Sequence, residues 1–414
     1  MQIALSDQAM LPIESHPLKE KPVLNDTQRT IVKATVPLLE TGGEALTTHF
    51  YRIMLAEYPT VRPLFNQAHQ ASGEQPRALA NSVLMYAKHI DRLEGLGGLL
   101  AQIINKHVSL QVLPEHYPIV GACLLRAIRE VLGAEIATDE VLAAWGAAYQ
   151  QLADILIAAE EQTYAANAAA TGGWRGAREF RVARKMPESS EITSFYLTPV
   201  DGGPVAPHQP GQYIGLLLPI DGQEQRRNYS LSAAPNGRDL RISVKREPGG
   251  LVSNHLHDRV GENDTLDVFP PAGAFTLEDN DKPLVLISGG VGITPTLAML
   301  HEALKSGRSI HFIHCARNRA AHAFRDTIDA LAARHPQLQR FYCYDHATDG
   351  DAVDAVGLLD QDRLAQWLPG TRDVDAYFLG PRPFMVMVKR GLRSLGVPEH
   401  QTRYEFFGPA ATLN

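Results

Sequence analysis

An uninterrupted apolar run, Pro283-Leu-Val-Leu-Ile-Ser288, leads straight into Gly289-Gly-Val-Gly-Ile-Thr-Pro295, and that junction narrows the possible folds more than any other stretch. A short apolar segment bounded by glycines reads as a strand buried on both faces, as found in parallel sheets covered by helices. Glycines at its end let the backbone turn into a helix and bring N–H groups up to a pyrophosphate at the helix N-terminus. A Gly-x-x-Gly pattern alone is weak. Here strand, glycine turn, Thr-Pro and a helical segment over 294–305 arrive together. The alternation continues with Ile310-His-Phe-Ile-His-Cys315 as strand, 322–334 as helix and Ala376-Tyr-Phe-Leu-Gly380 as strand, followed by Gly380-Pro-Arg-Pro-Phe384. Residues 281–414 therefore read as an α/β parallel-sheet domain that binds a dinucleotide through Gly290, Val291, Gly292, Ile293, Thr294 and Pro295.

Upstream, from Arg178 to about Glu278, the period changes to two, with turns at Asp201-Gly-Gly-Pro, Asp221-Gly and Pro235-Asn-Gly. That pattern predicts an antiparallel β-barrel over 174–280. One of its strands reads Arg226-Arg-Asn-Tyr-Ser-Leu-Ser232. Arg227, Tyr229 and Ser230 suit a flavin dinucleotide: a guanidinium pairs with pyrophosphate, a phenol packs on the ring and a hydroxyl bonds its edge. The bland reading is a polar barrel strand. Pro210-Gly-Gln-Tyr213 and Gly249-Gly-Leu-Val-Ser-Asn254 flank it, and the second is a glycine loop leading to a helix start near Ser253 whose amides can receive a diphosphate. Tyr213, Gly250 and Ser253 join the candidate contacts.

Residues 23–164 are helical in pattern, with Asp26 or Thr27 as an opening cap and Ile31, Val32, Ala34, Thr35, Leu38 and Leu39 at helical spacing. Residues 1–22, with Pro12, Pro17 and Pro22 and no sustained period, read as an N-terminal extension; 165–173, small residues ending in Gly-Gly, read as a loose linker. In the segment Leu99 to Val108 the apolar face runs through Leu96, Leu100, Ile103 and Ile104 and meets His107. A lone histidine there is ordinarily a core residue. Tyr117 and Glu160 can share that core, however, and a metal-bound imidazole needs its second nitrogen fixed by such a group.

The net charge of -7 and the lack of a basic cluster argue against nucleic acid as a partner. Three widely spaced cysteines give neither a disulfide framework nor a cysteine zinc site. No apolar run approaches a membrane span, and the N-terminus lacks a signal-peptide pattern, so a soluble, cytoplasmic monomer is expected.

The segments Ile31–Leu39, Thr48-His-Phe-Tyr-Arg52, Leu64-Phe-Asn66, Asn105-Lys-His107 and Trp145-Gly-Ala-Ala-Tyr149 closely resemble the globin domain of bacterial flavohaemoglobins, and the likeness runs on to the C-terminus. The fold implied is multidomain: an all-α globin, an antiparallel β-barrel FAD domain and an α/β parallel-sheet nicotinamide-binding domain. By resemblance His107 is the ligand to the iron of haem b, with Tyr117 and Glu160 as its proximal relay. Tyr51 and Gln75 are the distal polar pair, Leu79 the apolar wall and Phe65 the ring packed on haem. Lys106 and Glu405 influence the redox potentials, and the flavin contacts include Asn228, where the family usually has Gln, with Phe406, Phe407, Gly408 and Pro409. Leu379 stands where the family usually has Cys. The implied activity is nitric oxide dioxygenation: NO and O2 become nitrate, with electrons from NADPH or NADH. Arg317 and Arg319 are candidates for a 2′-phosphate. Alternatives are a gas- or lipid-binding flavohaemoprotein, with the lipid in the distal pocket, and a plain flavin reductase.

Overall fold

The structure is a computed structural model that describes residues 24–65, 73–407 and 413. The extension over 1–22, together with Asn66, Gly408 and Pro409, lies outside the described residues. The helical part contains α1 (Asp26–Ala34), α2 (Val36–Glu57), α3 (Glu74–Lys88), α4 (Gly97–Leu110), α5 (His116–Leu132) and α6 (Asp139–Ala169). The first cap is Asn25 rather than Asp26 or Thr27. Its side chain accepts from the Gln28 amide at 2.8 Å while Gln28 returns a bond to the Asn25 amide at 3.0 Å, a reciprocal box that only Asn25 can close. The apolar run from 31 to 39 is also split. Pro37 cannot donate to a continuing helix, so α1 stops and α2 starts across Thr35.

Helix α6, 31 residues long, opens on Thr138, whose hydroxyl accepts from the Val141 amide, with Asp139 and Glu140 at the positive end of the dipole. By length and apolar content it could cross a membrane, although no stretch of it is an unbroken apolar run of spanning length. Its Trp145, Ala148, Leu156 and Tyr164 are nevertheless buried within the helical domain. It also runs past the expected linker start to Ala169. The two glycines that follow do not loosen the chain: Gly172 (φ +74°) has no room for a side chain, since a Cβ would lie 2.8 Å from the Pro204 carbonyl carbon. The Gly172 carbonyl accepts from the Ala206 amide at 3.0 Å, and Trp174 donates to the Val268 carbonyl at 2.9 Å. The junction is a packed turn.

The second part is a six-stranded antiparallel sheet in the order β4-β3-β6-β1-β2-β5, made from β1 (Arg178–Pro187), β2 (Ile192–Pro199), β3 (Tyr213–Ile220), β4 (Gln223–Ser230), β5 (Leu240–Lys245) and β6 (Thr265–Val268). A bridge between Leu231 and Ile242 joins its two ends into a barrel. Helix α7 (Leu251–Arg259), with Gly250 at its N-cap, starts two residues before the expected position and buries Val252 and Leu256 in the barrel core.

The third part is a parallel sheet in the order β10-β9-β8-β7-β11-β12, built from β7 (Leu284–Gly289), β8 (Ile310–Ala316), β9 (Leu338–Tyr344), β10 (Ala355–Val356), β11 (Asp375–Leu379) and β12 (Thr402–Tyr404). Both faces are covered, by α8 (Ile293–Ala303) and α9 (Arg325–Arg334) on one side and by α10 (Gln361–Trp367) and α11 (Arg382–Ser394) on the other. Strand order runs outward in opposite directions from β7 and β11, so the ligand crevice of such a sheet lies at their carboxyl ends.

Gly121 in α5 gives this packing a sharp test. A Cβ there would come 2.6 Å from the Tyr149 ring of α6. Gly121→Ala should destabilise the helical domain by about 1–3 kcal/mol through overpacking. The check is a guanidinium melt followed by far-ultraviolet circular dichroism, and an unchanged midpoint would mean that Tyr149 moves freely.

Candidate active site

On α4, His107 continues the apolar stripe, and the helix places its Nδ1 2.7 Å from Glu160 Oε1 and 3.1 Å from the Tyr117 hydroxyl. Tyr117 donates to the same carboxylate oxygen at 2.7 Å. Its phenol is held well above the ordinary range, first by burial and then by Glu160, so it keeps its proton. A neutral imidazole that donates from Nδ1 to Glu160 would leave its lone pair on Nε2, as a metal ligand requires. Two further phenols of α6 fix the surroundings. Tyr149 donates to the Tyr117 carbonyl at 2.6 Å and Tyr164 to the Val112 carbonyl at 2.8 Å; the sequence assigns neither hydroxyl a role.

Tyr51 is buried on α2, edge-on to Phe50 at 4.9 Å and to Phe65 at 5.5 Å. Burial raises its pKa, so its hydroxyl remains a donor. One turn earlier, Thr47 donates to the Pro76 carbonyl at 2.8 Å, which ties α2 to the first turn of α3, where Gln75 is half-buried. Leu79, one turn on from Gln75, packs against the helical core.

Strand β4 divides its residues by pleat. Arg227 and Tyr229 share one face, and Arg226 and Asn228 the other. Burial lowers the pKa of Arg227, and among the described residues its guanidinium bonds only the Arg226 carbonyl, at 2.7 Å, with no acidic side chain beside it. Ser230 is buried, paired across β3 with Tyr213. Asn228 turns away from that face: its Nδ2 donates to Ser109 Oγ of α4 at 3.0 Å. At Gly250, a Cβ would lie 2.5 Å from Ser253 Oγ, so loop and helix start are tightly apposed.

At the carboxyl end of β7, a Cβ on Gly292 would sit 2.5 Å from the Leu379 carbonyl oxygen, a backbone atom that cannot yield. Gly290 adopts φ +55°. Ile293, Thr294 and Pro295 bury their side chains and Thr294 bonds the Val291 carbonyl at 3.1 Å, which leaves backbone amides as the donors of this turn. Gly380 lies against Gly289 and the Phe384 ring, bringing the two strand ends together. Leu379 itself is fully buried. Phe406 is half-buried and edge-on to Tyr404 at 5.8 Å, and Phe407 is 51% exposed. Arg317 and Arg319 are already ion-paired, with Glu191 and Asp326.

Lys106, Tyr213 and Glu405 bring one residue from each of the three parts within electrostatic reach. Burial pushes the Glu405 carboxyl up to about 7, with Lys106 opposing, and lowers Lys106, with Glu405 opposing. Burial likewise raises Tyr213, and Glu405 adds to it.

An unfolded Glu titrates near about 4.3, so the folded value lies above it. The stability this group contributes is complete below that pH and is lost as pH rises through about 7. Glu405→Gln, neutral throughout, should match the parent at about pH 4 and exceed it at about pH 8 in denaturant midpoint. Parallel pH profiles for the two proteins would refute a half-buried, proton-holding Glu405.

The globin family matches residues 48–156, the oxidoreductase FAD-binding domain 181–277 and the oxidoreductase NAD-binding domain 286–390. The chain is 71% identical over 392 residues to a flavohemoprotein of Pseudomonas aeruginosa, covering 95% of this chain and 100% of that one. A flavohemoprotein of Pseudomonas putida is 72% identical over 94% of this chain and its own full length. Among solved structures, a Malassezia yamatoensis flavohemoglobin with bound FAD and heme superposes with a TM-score of 0.82 at 28% identity, covering 93% of this chain and all of that one. The FAD/NAD-binding domain of a Vibrio cholerae nitric oxide dioxygenase is 38% identical with a TM-score of 0.53, over 57% of this chain and 100% of that one. A globin followed by FAD- and NAD-binding oxidoreductase domains, matched almost end to end, makes this chain a member of the flavohemoprotein family.

Proposed function

We propose that the chain is an NAD(P)H-dependent nitric oxide dioxygenase that converts nitric oxide and O2 to nitrate. The observation that carries this reading is the Glu160 carboxylate, shared at 2.7 Å by His107 Nδ1 and the Tyr117 hydroxyl. Negative charge on the far side of an imidazole strengthens its Nε2 as an electron donor, which suits redox turnover of a diatomic ligand better than reversible storage. The name of the Vibrio cholerae relative supports the same reaction.

The residues present fit the three groups this reading requires. A neutral His107 donating from Nδ1 to Glu160 would present its Nε2 lone pair to a haem iron, and Arg227 offers a half-buried guanidinium without an acidic partner for a pyrophosphate. The turn at Gly290–Gly292 offers amides at a close approach that a side chain would block. Bound there, haem supplies diatomic binding and one-electron chemistry, FAD the change from two electrons to one, and nicotinamide the hydride. The protein's own part is positional. His107 and Glu160 hold the iron side, and Tyr51 supplies a protonated phenol in a dry distal wall for a ligand that gains negative charge. Tyr213, Arg227, Tyr229 and Ser230 orient the flavin, and Lys106 and Glu405 set the local potential. Either nicotinamide coenzyme is compatible, since Arg317 and Arg319 would have to exchange existing partners to bind a 2′-phosphate. Small gaseous ligands are the partners of the globin part. A cytoplasmic site accords with Cys123, Cys315 and Cys343 standing as free thiols.

His107→Ala should abolish stable haem retention and leave FAD content at the parental level, because the flavin contacts sit in another domain; a normal haem spectrum in the variant refutes the ligand. Tyr51→Phe keeps the ring and removes the hydroxyl. It should speed O2 dissociation by about tenfold or more, the loss expected for a hydrogen bond to a charged group, and affect carbon monoxide less. Rapid NADPH- or NADH-driven nitric oxide consumption with nitrate formed is the companion measurement, and slow turnover with tight gas retention would indicate a carrier instead.

A further inference from the structure

We propose that Ser109, with Arg226, is a latch by which barrel strand β4 fixes the end of the His107 helix, making both positioning residues for electron delivery into the helical domain. The inference rests on the proposed reading of a chain that passes electrons from barrel to globin, but its mechanical part stands on contacts alone. Ser109 lies two residues beyond His107 and is 1% exposed. Its hydroxyl donates to the Lys106 carbonyl at 2.7 Å and accepts from Asn228 Nδ2 at 3.0 Å. Arg226 reaches the same helix end: its guanidinium donates to the Leu110 carbonyl at 2.5 Å and lies 5.2 Å over the Phe269 ring. Terminal helix carbonyls lack intrahelical partners and carry the negative end of the dipole, so an arginine there serves as both cap and countercharge. The neighbouring strand makes room for this contact. Gly215, the register partner of Asn228 on β3, would with a Cβ stand 2.8 Å from the Ser109 carbonyl oxygen and 2.8 Å from the Phe269 ring.

The geometry has a direct mechanical consequence. Arg227 and Tyr229, on the opposite pleat of β4, are each one peptide from a residue that grips α4. The flavin-side face and the His107 ring are therefore tied through a handful of covalent and hydrogen bonds rather than through the linker. A loosened helix end would let His107 shift relative to that face while both domains stay folded. Misplacements on the ångström scale cost rate steeply where reacting partners must be held in register.

The test uses the full chain loaded with haem and FAD, comparing Ser109→Ala, Arg226→Met and Arg226→Lys. Hydrogen exchange over residues 105–112 should rise at least about tenfold in Ser109→Ala and Arg226→Met, since a local restraint on the last turn is gone. Anaerobic stopped flow with NADH should show haem reduction slowed by about tenfold or more, while flavin bleaching, FAD content and direct haem reduction by dithionite keep parental values. Arg226→Lys, which keeps a cationic donor, should recover most of both effects. Parental exchange and parental haem reduction in both Ser109→Ala and Arg226→Met overturn the latch, as does flavin bleaching slowed as much as haem reduction. If exchange rises but NADH fails to reduce haem even in the parent, the electron-delivery reading falls and the mechanical latch stands.

Discussion

The helical domain turns on a single carboxylate, Glu160, whose side chain is only 3% exposed. A buried carboxylate costs several kcal/mol unless donors surround it, and here one oxygen receives both the His107 imidazole and the Tyr117 phenol. The arrangement demands three helices in fixed register, because α4 brings His107, α5 brings Tyr117 and α6 brings Glu160. Helix α6 meets that demand with one inward stripe, Tyr149, Ala153, Leu156, Glu160 and Tyr164, spaced by three and four residues. The phenols on either side of Glu160 bond backbone carbonyls of the neighbouring segments. Acid and braces are thus carried on one rigid element.

A second constraint operates where the three parts meet. Tyr213 is buried, Glu405 half-buried and Lys106 exposed, and each feels at least one of the others. At a junction only partly open to solvent, the charge state of one group alters the field at its neighbours more than it would in bulk water. The proton on Glu405 is therefore not a local matter: it is shared electrostatically by the helix that holds His107 and the strand that opens on Tyr213.

Much of this was legible in the residues, for physical reasons that differ by region. The β7–glycine–α8 unit was plain because buried-strand composition and turn chemistry coincide in one stretch. The barrel was legible from its period of two. His107, Tyr117 and Glu160 stood out as candidates for one core, but their roles came from resemblance, since a polar residue on an apolar helix face does not say what meets it across the core. Where the reading slipped, a local bond had decided the outcome. Asn25 capped α1 through its reciprocal partner Gln28, Pro37 split a run that looked continuous, and α7 began at Leu251. Asn228 illustrates the deeper limit: alternation along β4 shows that it faces away from Arg227 and Tyr229, but only the assembled chain shows Ser109 waiting there. The bonds made by Tyr149 and Tyr164 were hidden for the same reason, as aromatic residues on an apolar helix carry no sign that their hydroxyls seek particular carbonyls.

The packed turn after α6 changes how the chain should be thought of as an assembly. Were the Gly-Gly segment a flexible tether, the two halves would find each other by diffusion within a small volume and tolerate added length. Instead a helix of 31 residues runs into a glycine pinned against Pro204. A straight helix carries rotational phase, about 100° and 1.5 Å per residue. One residue inserted ahead of Gly172 would turn the barrel about the helix axis by that angle, swinging β4 away from the end of α4. Length variation at this point in the chain is therefore quantised by the helical repeat rather than free, and the fusion behaves as a geared shaft rather than two beads on a string.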